Sequence, residues 1–352
     1  MDSPVSIAVI GAGLIGHRHV KHILEEPRCR LAGVIDPDPQ AKSLAENAGA
    51  AYYPDTALFL NEADAEGVII ATPNDTHAAI GIQCATAGCH LLVEKPIDSD
   101  PAAAGKLIEA AKNAGVKVLV GHHRRFNPYI EATKRILDDG RLGTITAVNA
   151  LWTALKPPSY FKIAWRRKPG AGPVLINLIH DIDNLRYLFG DVARIYAESS
   201  NAIRKYPVED TVAITIRFRS GVLGTVITSD VVASPYNFES ATGENPLYNS
   251  AAQDCYRIFG TEASLNFPEM TLWRYTGEGE QGWETPISSE QIDVEPNVPL
   301  ESQLRHFCDV VRYDAEPRCS GEEGIKTLEA TMAVAEAVRR CQPVAFDYRL
   351  EN

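Results

Sequence analysis

The sequence predicts an α/β protein with a parallel, doubly wound sheet followed by a second, mostly antiparallel open sheet with helices on one side. Up to about residue 122, short β-branched runs alternate with helical stretches, which is typical of parallel strands joined by right-handed crossovers. Beyond Arg125, strand-like runs follow one another with turn residues between them, which indicates antiparallel pairing. The length of 352 residues suits two domains. We expect them at 1–122 and 123–352.

The first domain has five predicted strands and four predicted helices. The strands are Ser6–Ile10, Leu31–Ile35, Gly67–Ala71, His90–Val93 and Val116–Val120, and the helices are Gly16–Glu26, Pro39–Ala48, Thr76–Ala87 and Ala102–Ala114.

The second domain begins with a helix, and one face of its predicted sheet has no helices left to cover it, so we expect that face to meet another subunit. A loop rich in proline and aromatic residues spans 156–173, and a polar segment at 234–253 lacks periodicity and is interpreted as a lid or mobile insertion. The predicted helices are Tyr129–Asp138, Asn177–Leu188, Leu300–Tyr313 and Gly321–Cys341, and the strands are Ile145–Ala154, Arg194–Ser200, Thr211–Phe218, Val222–Ser229, Tyr256–Gly260 and Ala263–Asn266.

Composition excludes several classes of function. Lys and Arg number 34 against 46 Asp and Glu, a formal charge of −12, which argues against nucleic acid or anionic membrane as a partner. Gly, His, Asp and Pro interrupt every apolar run before it reaches the length of about 18 residues that spans a bilayer. Asp2 stands where a signal peptide would carry a cation. Seven cysteines without a Cys-x-x-Cys pair indicate reduced thiols in the cytoplasm, and the nine histidines show no metal-ligand spacing, so we expect no metal.

The sharpest motif is Gly11-Ala-Gly13-Leu14-Ile15-Gly16, which leaves a strand and enters a helix. Gly11 permits the tight turn, Gly13 lets a pyrophosphate approach the backbone, and Gly16 lets helix and strand pack closely. Asp36 closes the next predicted strand, 20 residues after Gly16, where its carboxylate can accept ribose hydroxyls and repel a 2′-phosphate. We therefore predict a dinucleotide site that favours NAD over NADP, with Leu14 and Ile15 beside the cofactor. The alternatives are a glycine turn that only packs a helix, and Asp36 as a solvated turn residue.

A second motif, Val93-Glu94-Lys95-Pro96, ends a predicted strand at the carboxyl edge of the parallel sheet, where open α/β folds bind ligands. Partial burial beside a cofactor would depress the pKa of a lysine and let it share a hydroxyl proton. We assign Glu94 and Lys95 to the cofactor site, against the alternative that Lys95 is a solvated cation.

A third motif follows the Gly170-Ala-Gly172 loop. With 3.6 residues per turn, two stripes are predicted on one helix. The polar stripe is Asn177, His180, Asp183, Asn184 and Tyr187, and the buried stripe is Leu178, Ile182, Leu185 and Phe189. His180 is a candidate acid/base, and the alternative is a core or interface histidine oriented by Asp183.

Taken together, these motifs resemble the Gfo/Idh/MocA family of glucose-fructose oxidoreductase and inositol dehydrogenase-like enzymes. The resemblance covers essentially the whole chain. Besides the glycine motif and the His180 helix, its motifs are Ala71-Thr72-Pro73-Asn74-Asp75-Thr76-His77, Glu94-Lys95-Pro96, Gly121-His-His-Arg124-Arg125-Phe126-Asn-Pro128 and Gly321-Glu-Glu-Gly324.

The resemblance implies a Rossmann domain and an α/β domain whose open sheet forms homodimers or homotetramers. It implies that Lys95 holds the reacting hydroxyl, that His180 is the acid/base, that Arg124 borders the substrate, and that the nicotinamide side is lined by Thr72, Asn74 and His77. Many inositol dehydrogenase-like members carry an Asp four residues before the catalytic histidine, whereas this chain has Ile176, with Asn177 next to it. That leaves Asp183 or Asp181 as the orienting carboxylate.

We therefore predict a cytoplasmic NAD-dependent dehydrogenase that oxidises a secondary hydroxyl of a sugar, cyclitol or related polyol. Basic residues in the loop and at the domain junction suggest a carboxylated substrate as one alternative, although such cations could equally balance nearby acids. The alternative from a different class of function is a non-catalytic protein that senses NAD or acts as a scaffold. The basic residues are Lys156, Lys162, Arg166, Arg167 and Lys168, with Arg124 and Arg125 at the junction, and the predicted substrate contacts are Arg124, Trp165, Arg166, Asn177 and Asp183.

Overall fold

A computed structural model describes residues 3–245 and 247–347. Within them the chain forms two units. The first contains the residues up to Phe126 together with Asn297–Leu328, and the second contains Asn127–Pro296 together with the residues from Glu329 onward. The boundary expected from the sequence instead assigns residues 123–352 to one second domain.

The first 126 residues alternate strands and helices, as predicted. The strands are β1 (Val5–Ile10), β2 (Cys29–Ile35), β3 (Tyr52–Tyr53), β4 (Gly67–Ile70), β5 (His90–Val93) and β6 (Val118–Val120). The helices are α1 (Leu14–Glu25), α2 (Lys42–Asn47), α3 (Thr56–Glu62), α4 (His77–Thr86) and α5 (Pro101–Ala114).

These strands form a parallel sheet in the order β3-β2-β1-β4-β5-β6. Every residue of β1 and β4 is buried, because helices cover both faces. Strand β3 and helix α3 were not predicted from the sequence. A strand of two residues carries no alternation that could reveal it.

The rest of the chain contributes five helices and nine strands within the described residues. The helices are α6 (Pro128–Asp138), α7 (Ile179–Phe189), α8 (Phe238–Thr242), α9 (Pro299–Tyr313) and α10 (Gly321–Arg340). The strands are β7 (Ile145–Thr153), β8 (Val192–Ser200), β9 (Thr211–Phe218), β10 (Leu223–Ser229), β11 (Tyr256–Gly260), β12 (Ala263–Phe267), β13 (Thr271–Tyr275), β14 (Ile287–Gln291) and β15 (Val344–Ala345).

Helix α9 packs on the parallel sheet, which explains the difference in domain boundaries. A Cβ added to Gly67 at the start of β4 would lie 2.9 Å from the ring of Phe307 on α9. The backbone N–H of Val120 in β6 donates to the carbonyl of Cys319 over 2.8 Å. A helical pattern at 300–313 cannot itself indicate which sheet the helix covers, so the sequence analysis grouped it with its neighbours in the chain.

The second unit contains a nine-stranded sheet in the order β14-β13-β12-β11-β7-β10-β9-β8-β15. Strands β7 and β10 pair in parallel, and all other neighbouring pairs are antiparallel, which confirms the predicted fold class. Along β9 and β10 buried residues alternate with exposed ones. Leu223, Ile227 and Trp273 are among the large apolar side chains left exposed.

The predicted lid at 234–253 is partly structured. It contains α8, whose Phe238 is fully buried and whose N-terminus is capped by the side chain of Asn237, accepting from the backbone N–H of Ser240 over 2.9 Å. A helix of five residues is too short for periodicity to reveal. All seven cysteines are free thiols, and no helix of the described residues is long and apolar enough to cross a bilayer.

Candidate active site

Two of the three glycines in the turn after β1 are required by close packing. Gly11 has a φ of +97°, and a Cβ there would lie 2.4 Å from the carbonyl oxygen of Ala71. A Cβ on Gly16 would lie 1.9 Å from the carbonyl oxygen of Gly11. Both distances are far inside van der Waals contact, so neither position accepts a side chain without movement of the backbone.

Gly13 differs, because an added Cβ would meet no atom within 4 Å. This residue is the N-cap of α1, where backbone N–H groups and the helix dipole favour an anion. Leu14, in the first turn of α1, is 82% exposed and offers an apolar surface. An open cradle at a helix N-terminus fits the pyrophosphate of a dinucleotide, as the motif predicts.

Asp36 is held beside this turn. Its Oδ2 accepts from the backbone N–H of Ala12 over 2.7 Å, and its Oδ1 accepts from the backbone N–H of Asp38 over 2.8 Å. These bonds orient the half-buried carboxylate and leave lone pairs for further donors. Asp36 is therefore an ordered part of the cradle and more than a solvated turn residue.

His77 lies between the loops that follow β4 and β5, and its place on the nicotinamide side stays a prediction. Its ring is buried, with Nδ1 lying 2.9 Å from the carbonyl oxygen of Pro96 and Nε2 lying 2.9 Å from that of Thr72. Both ring nitrogens thus face carbonyl oxygens, and the N–H of a neutral ring can donate to either the loop after β4 or the loop after β5. Asn74 is exposed and Thr72 half-buried in the first of these loops, and both remain candidates for cofactor contact.

Glu94 supports the loop after β5 from the interior of the first unit. It is buried after β5, and its Oε1 lies 2.8 Å from Nε2 of the buried His19 on α1. Burial would raise the pKa of this carboxyl, but the hydrogen bond and charge of His19, with the nearby charges of His123 and Lys95, outweigh burial and lower the pKa to about 2. Glu94 is therefore an anion that supports the loop, and its contact with the cofactor stays a prediction.

Lys95 follows Glu94 and is half-buried, and its backbone N–H donates to Glu94 Oε2 over 3.2 Å. A Cβ on Gly121 would lie 3.0 Å from both Cα and Oε2 of Glu94, so the small residue after β6 allows this loop to fit closely. Lys95 is thus fixed at the carboxyl edge of the sheet, as predicted.

The two arginines after β6 are both buried. Arg125 donates to the backbone carbonyl of Arg318 over 2.9 Å and pairs with Glu323 at 3.3 Å, so it connects the end of the parallel sheet to the first turn of α10 and the segment before it. Arg124 remains the candidate for contact with a substrate.

In the second unit, the helix that carries His180 begins earlier than predicted and begins irregularly. Residues 174–178 form a π-helical turn, and α7 continues from Ile179. Such turns are rare and often occur at functional sites. Because a π turn holds more than 3.6 residues, the stripe extrapolated back from His180 to Asn177 does not hold.

Helix α7 is buried on both faces, whereas the sequence predicted one buried stripe. His180 is 9% exposed, and Asp181, Asp183 and Asn184 are also buried. The Tyr256 hydroxyl bonds Asp181 and also accepts from the Asn184 amide over 3.1 Å. Asp181 thus contributes to packing between α7 and β11, and Asp183 is the better candidate to orient His180.

A buried polar cluster near this helix was not identified from the sequence. Lys156 donates to Asn177 Oδ1 over 2.8 Å and lies 3.4 Å from Oδ2 of Asp230, which also pairs with Arg204. Burial lowers the pKa of Lys156, partly offset by the charge of Asp230. The sequence singled out Lys156 as a basic residue of the loop and Asn177 as a substrate contact, but no local pattern joined them to Asp230 and Arg204.

Glu209 supports the start of the same helix. Its Oε1 accepts from the backbone N–H of Val174 over 3.3 Å, and a Cβ on Gly172 would lie 2.0 Å from that oxygen. Gly172 therefore leaves room for a carboxylate at the N-terminus of the π turn.

The predicted substrate contacts Trp165 and Arg166 lie in short 3₁₀ turns after β7. Trp165 is exposed, and Arg166 stacks over the ring of Tyr160 at 4.0 Å and donates to its carbonyl over 3.1 Å. Lys95 and Arg124 belong to the first unit, and His180, Asn177, Asp183, Trp165 and Arg166 belong to the second. The convergence of Lys95 with His180 stays a prediction.

Comparisons with known proteins agree with the two-unit architecture. Residues 5–122 match the oxidoreductase family's NAD-binding Rossmann fold, and residues 134–346 match the C-terminal alpha/beta domain of the same Gfo/Idh/MocA family. A myo-inositol 2-dehydrogenase of Thermotoga maritima is 28% identical over 353 residues, covering 97% of this chain and 98% of the relative.

Solved structures show the same fold. The WlbA dehydrogenase of Bordetella pertussis, in complex with NADH and UDP-GlcNAcA, superposes with a TM-score of 0.76 at 22% identity, covering 98% of this chain and 99% of that one. An oxidoreductase of Agrobacterium radiobacter, in complex with NAD+, L-tartaric acid and magnesium, gives a TM-score of 0.80 at 19% identity, with 97% and 98% covered. Residues 5–122 thus form an NAD-binding Rossmann domain, and the chain belongs to the Gfo/Idh/MocA family of oxidoreductases.

Proposed function

We propose that this protein is an NAD-dependent dehydrogenase that oxidises a secondary hydroxyl of a sugar, cyclitol or related polyol. The observation that carries the proposal is the position of Lys95 at the carboxyl edge of the NAD-binding sheet, where its backbone N–H donates to the buried anion Glu94. The hydrogen bond between the buried side chains of His19 and Glu94 supports the loop that presents this lysine.

The chemistry requires two groups from this chain. Loss of hydride from a carbinol carbon requires that the hydroxyl proton also leave, so a base and a stabiliser of the developing oxyanion are needed. Bound NAD supplies the hydride acceptor. Lys95 donates a hydrogen bond to the reacting oxygen, and the imidazole of His180 accepts the proton.

Neighbouring residues complete the proposed roles. Thr72 and Asn74 border the nicotinamide side of the cofactor, with Leu14 and Ile15 against the nucleotide. Arg124, Asn177, Trp165 and Arg166 border the substrate, and Asp183 orients His180. A polyol substrate is supported by the relatives, which include the myo-inositol 2-dehydrogenase of Thermotoga maritima and an inositol 2-dehydrogenase of Rhizobium meliloti.

We further propose that the protein works as a homodimer or homotetramer in the cytoplasm. The exposed face of the nine-stranded sheet carries apolar side chains such as Leu223 and Ile227. A face of this kind favours burial against a second copy of the chain.

The test is NAD reduction across a panel of polyols, aldoses and cyclitols, followed by Lys95→Ala and His180→Ala with the best substrate. We expect each variant to lose at least about a hundredfold in kcat/KM, the usual contribution of a general acid or base. Lys106→Ala, an exposed lysine on α5, is the matched control and should retain activity. Variants within a few-fold of wild type would contradict the mechanism, and NADH binding without turnover of any substrate would favour the sensor.

A further inference from the structure

One basic residue of the loop after β7 differs from the others. Lys156 is only 8% exposed, whereas Lys162, Arg167 and Lys168 are exposed to solvent. An exposed cation is hydrated and needs no partner, but burial of an ammonium group costs free energy unless the fold supplies hydrogen bonds. Lys156 is therefore the basic residue of this loop for which a specific role must be sought.

The contacts of Lys156 leave one donor available. An ammonium group has three N–H donors. One is directed to Asn177 Oδ1 at 2.8 Å and another to Asp230 Oδ2 at 3.4 Å. The rings of Trp152 and Tyr160 lie 5.5 Å and 5.0 Å from Nζ and offer π faces, which orient a cation without consuming a donor.

Asp230 is held by a residue other than Lys156, so the position of its carboxylate does not depend on Lys156. Arg204 pairs with its carboxylate and its backbone carbonyl, and also donates to the carbonyl of Lys156 over 3.4 Å. The Asp230 charge is thus shared between two cations. The arrangement holds Lys156 in one place, as a ligand-binding group requires.

Lys156 lines a cavity of about 630 Å³ at the ends of β7 and α8. Among the described residues that line it, Lys156 is the only charged one, and the polar ones include Tyr160, Ser234, Asn237 and Ser240. This volume lies within the range of roughly 300–1,000 Å³ that is common for small-molecule sites. Asn177, which accepts from Lys156, stands in the turn directly before His180, so the cavity adjoins the proposed catalytic helix.

We infer that this cavity binds a carboxylate on the substrate, with Lys156 as its cation, so that the substrate is a hydroxy acid such as a sugar acid. The inference rests on the proposed function and makes its substrate class more specific. A carboxylate accepts the remaining N–H of Lys156 and adds the attraction between opposite charges, which a neutral hydroxyl does not provide. Hydroxyls of the same substrate can bond the serine, asparagine and tyrosine groups of the cavity wall.

The test measures binding by isothermal titration calorimetry with NADH present, using two matched pairs: D-gluconate with D-glucitol, and D-glucuronate with D-glucose. We expect wild type to bind at least one acid about tenfold more tightly than its neutral partner. Lys156→Met should abolish this preference, whereas Lys162→Met, an exposed lysine on the same loop, should retain it. Equal affinity of wild type for both members of each pair would overturn the inference.

A second variant avoids the risk that Lys156→Met does not fold. Leu247 also lines the cavity but is 85% exposed, so a substitution there should leave the fold intact. Leu247→Glu should weaken acid binding several-fold more than neutral binding by charge repulsion, and Leu247→Gln should not. An unchanged preference in Leu247→Glu would also contradict the inference.

Parallel assays of NAD reduction separate the two proposals. Acid binding that depends on Lys156 without any turnover would leave the subsite standing and refute the dehydrogenase. Turnover of acids and of their neutral partners with equal kcat/KM, unchanged for both in Lys156→Met, would support the dehydrogenase and refute the subsite.

Discussion

His19 Nε2 lies 2.8 Å from Glu94 Oε1, and both side chains are buried in the first unit. His19 stands on the helix that leaves the glycine turn, and Glu94 immediately precedes Lys95. One hydrogen bond therefore connects the element that cradles the cofactor to the loop that presents the proposed catalytic cation. Changes to either residue should affect both stability and the site.

The first prediction concerns the pH dependence of stability. The pKa of Glu94 falls from 4.5 to about 2 on folding, so its contribution is present above pH 4.5 and is lost as the pH falls toward 2. The stabilisation is of order 3 kcal/mol. We expect Glu94→Gln to be clearly less stable than wild type at pH 6 in urea unfolding, and the difference to shrink at pH 3.

Glu62→Gln is the control for this experiment, because Glu62 is exposed on α3. It should unfold like wild type at both pH values. A difference between wild type and Glu94→Gln that stays constant from pH 6 to pH 3 would show that His19 does not hold Glu94 in its ionised form.

The second prediction separates the roles of two glycines. Gly13→Ala adds a methyl group to open space in the cradle, so NADH affinity should fall at least tenfold while the melting temperature of the unliganded protein hardly changes. Gly16→Ala places a methyl group against the carbonyl of Gly11, so the melting temperature should fall by several degrees. Fluorescence titration with NADH and thermal unfolding measure the two effects. Equal behaviour of the two variants would contradict the assigned roles.

The third prediction concerns cofactor choice. Asp36→Ser removes the carboxylate fixed by Ala12 and Asp38, so NADH should bind about tenfold more weakly and NADPH relatively better, since repulsion of the 2′-phosphate is lost. Titration with both nucleotides gives the ratio of affinities. Asp38→Asn, in the adjacent exposed turn, is the control and should keep the wild-type ratio. An unchanged ratio in Asp36→Ser would exclude Asp36 as the selecting residue.

The fourth prediction concerns the π turn. Gly172→Ala would displace the Glu209 carboxylate from the N–H of Val174, which should cost about 1 kcal/mol, as loss of a helix cap does. Gly172→Ala and Glu209→Ala remove the same hydrogen bond. The double variant should therefore be no less stable than Glu209→Ala alone. Gly105→Ala, in open space on α5, should not destabilise the protein. If the losses in free energy of unfolding were additive in the double variant, Gly172→Ala would act through something other than the bond between Glu209 and Val174.

Local patterns predicted most of the first unit and the central strands of the second. The turn from Gly11 to Gly16, the position of Asp36 and the place of Lys95 at a strand end depend on short-range spacing, which the sequence displays directly. Strand β14 was missed because all five of its residues are exposed, and an edge strand without a buried face has no alternation.

The polar interactions that define the site depend on residues far apart in the chain. His19 and Glu94 are 75 residues apart, and Lys156 and Asp230 are 74 residues apart, so no local pattern joins them. The place of His19 on the buried face of α1, three residues after Gly16, was a signal that helical periodicity could have supplied. The π turn could not be anticipated from a constant period of 3.6 residues.

The assignment of residues 297–328 to the first unit has a consequence for synthesis on the ribosome. The parallel sheet is complete in sequence by residue 120, but Phe307 and Cys319 that pack or bond against it are translated almost 200 residues later. Domains that are contiguous in sequence can fold as they emerge, N-terminal part first. Here the nucleotide-binding unit cannot be completed until nearly the whole polypeptide has been made. Until then, the side of β4 and β6 that α9 and its flanking segment cover stays exposed.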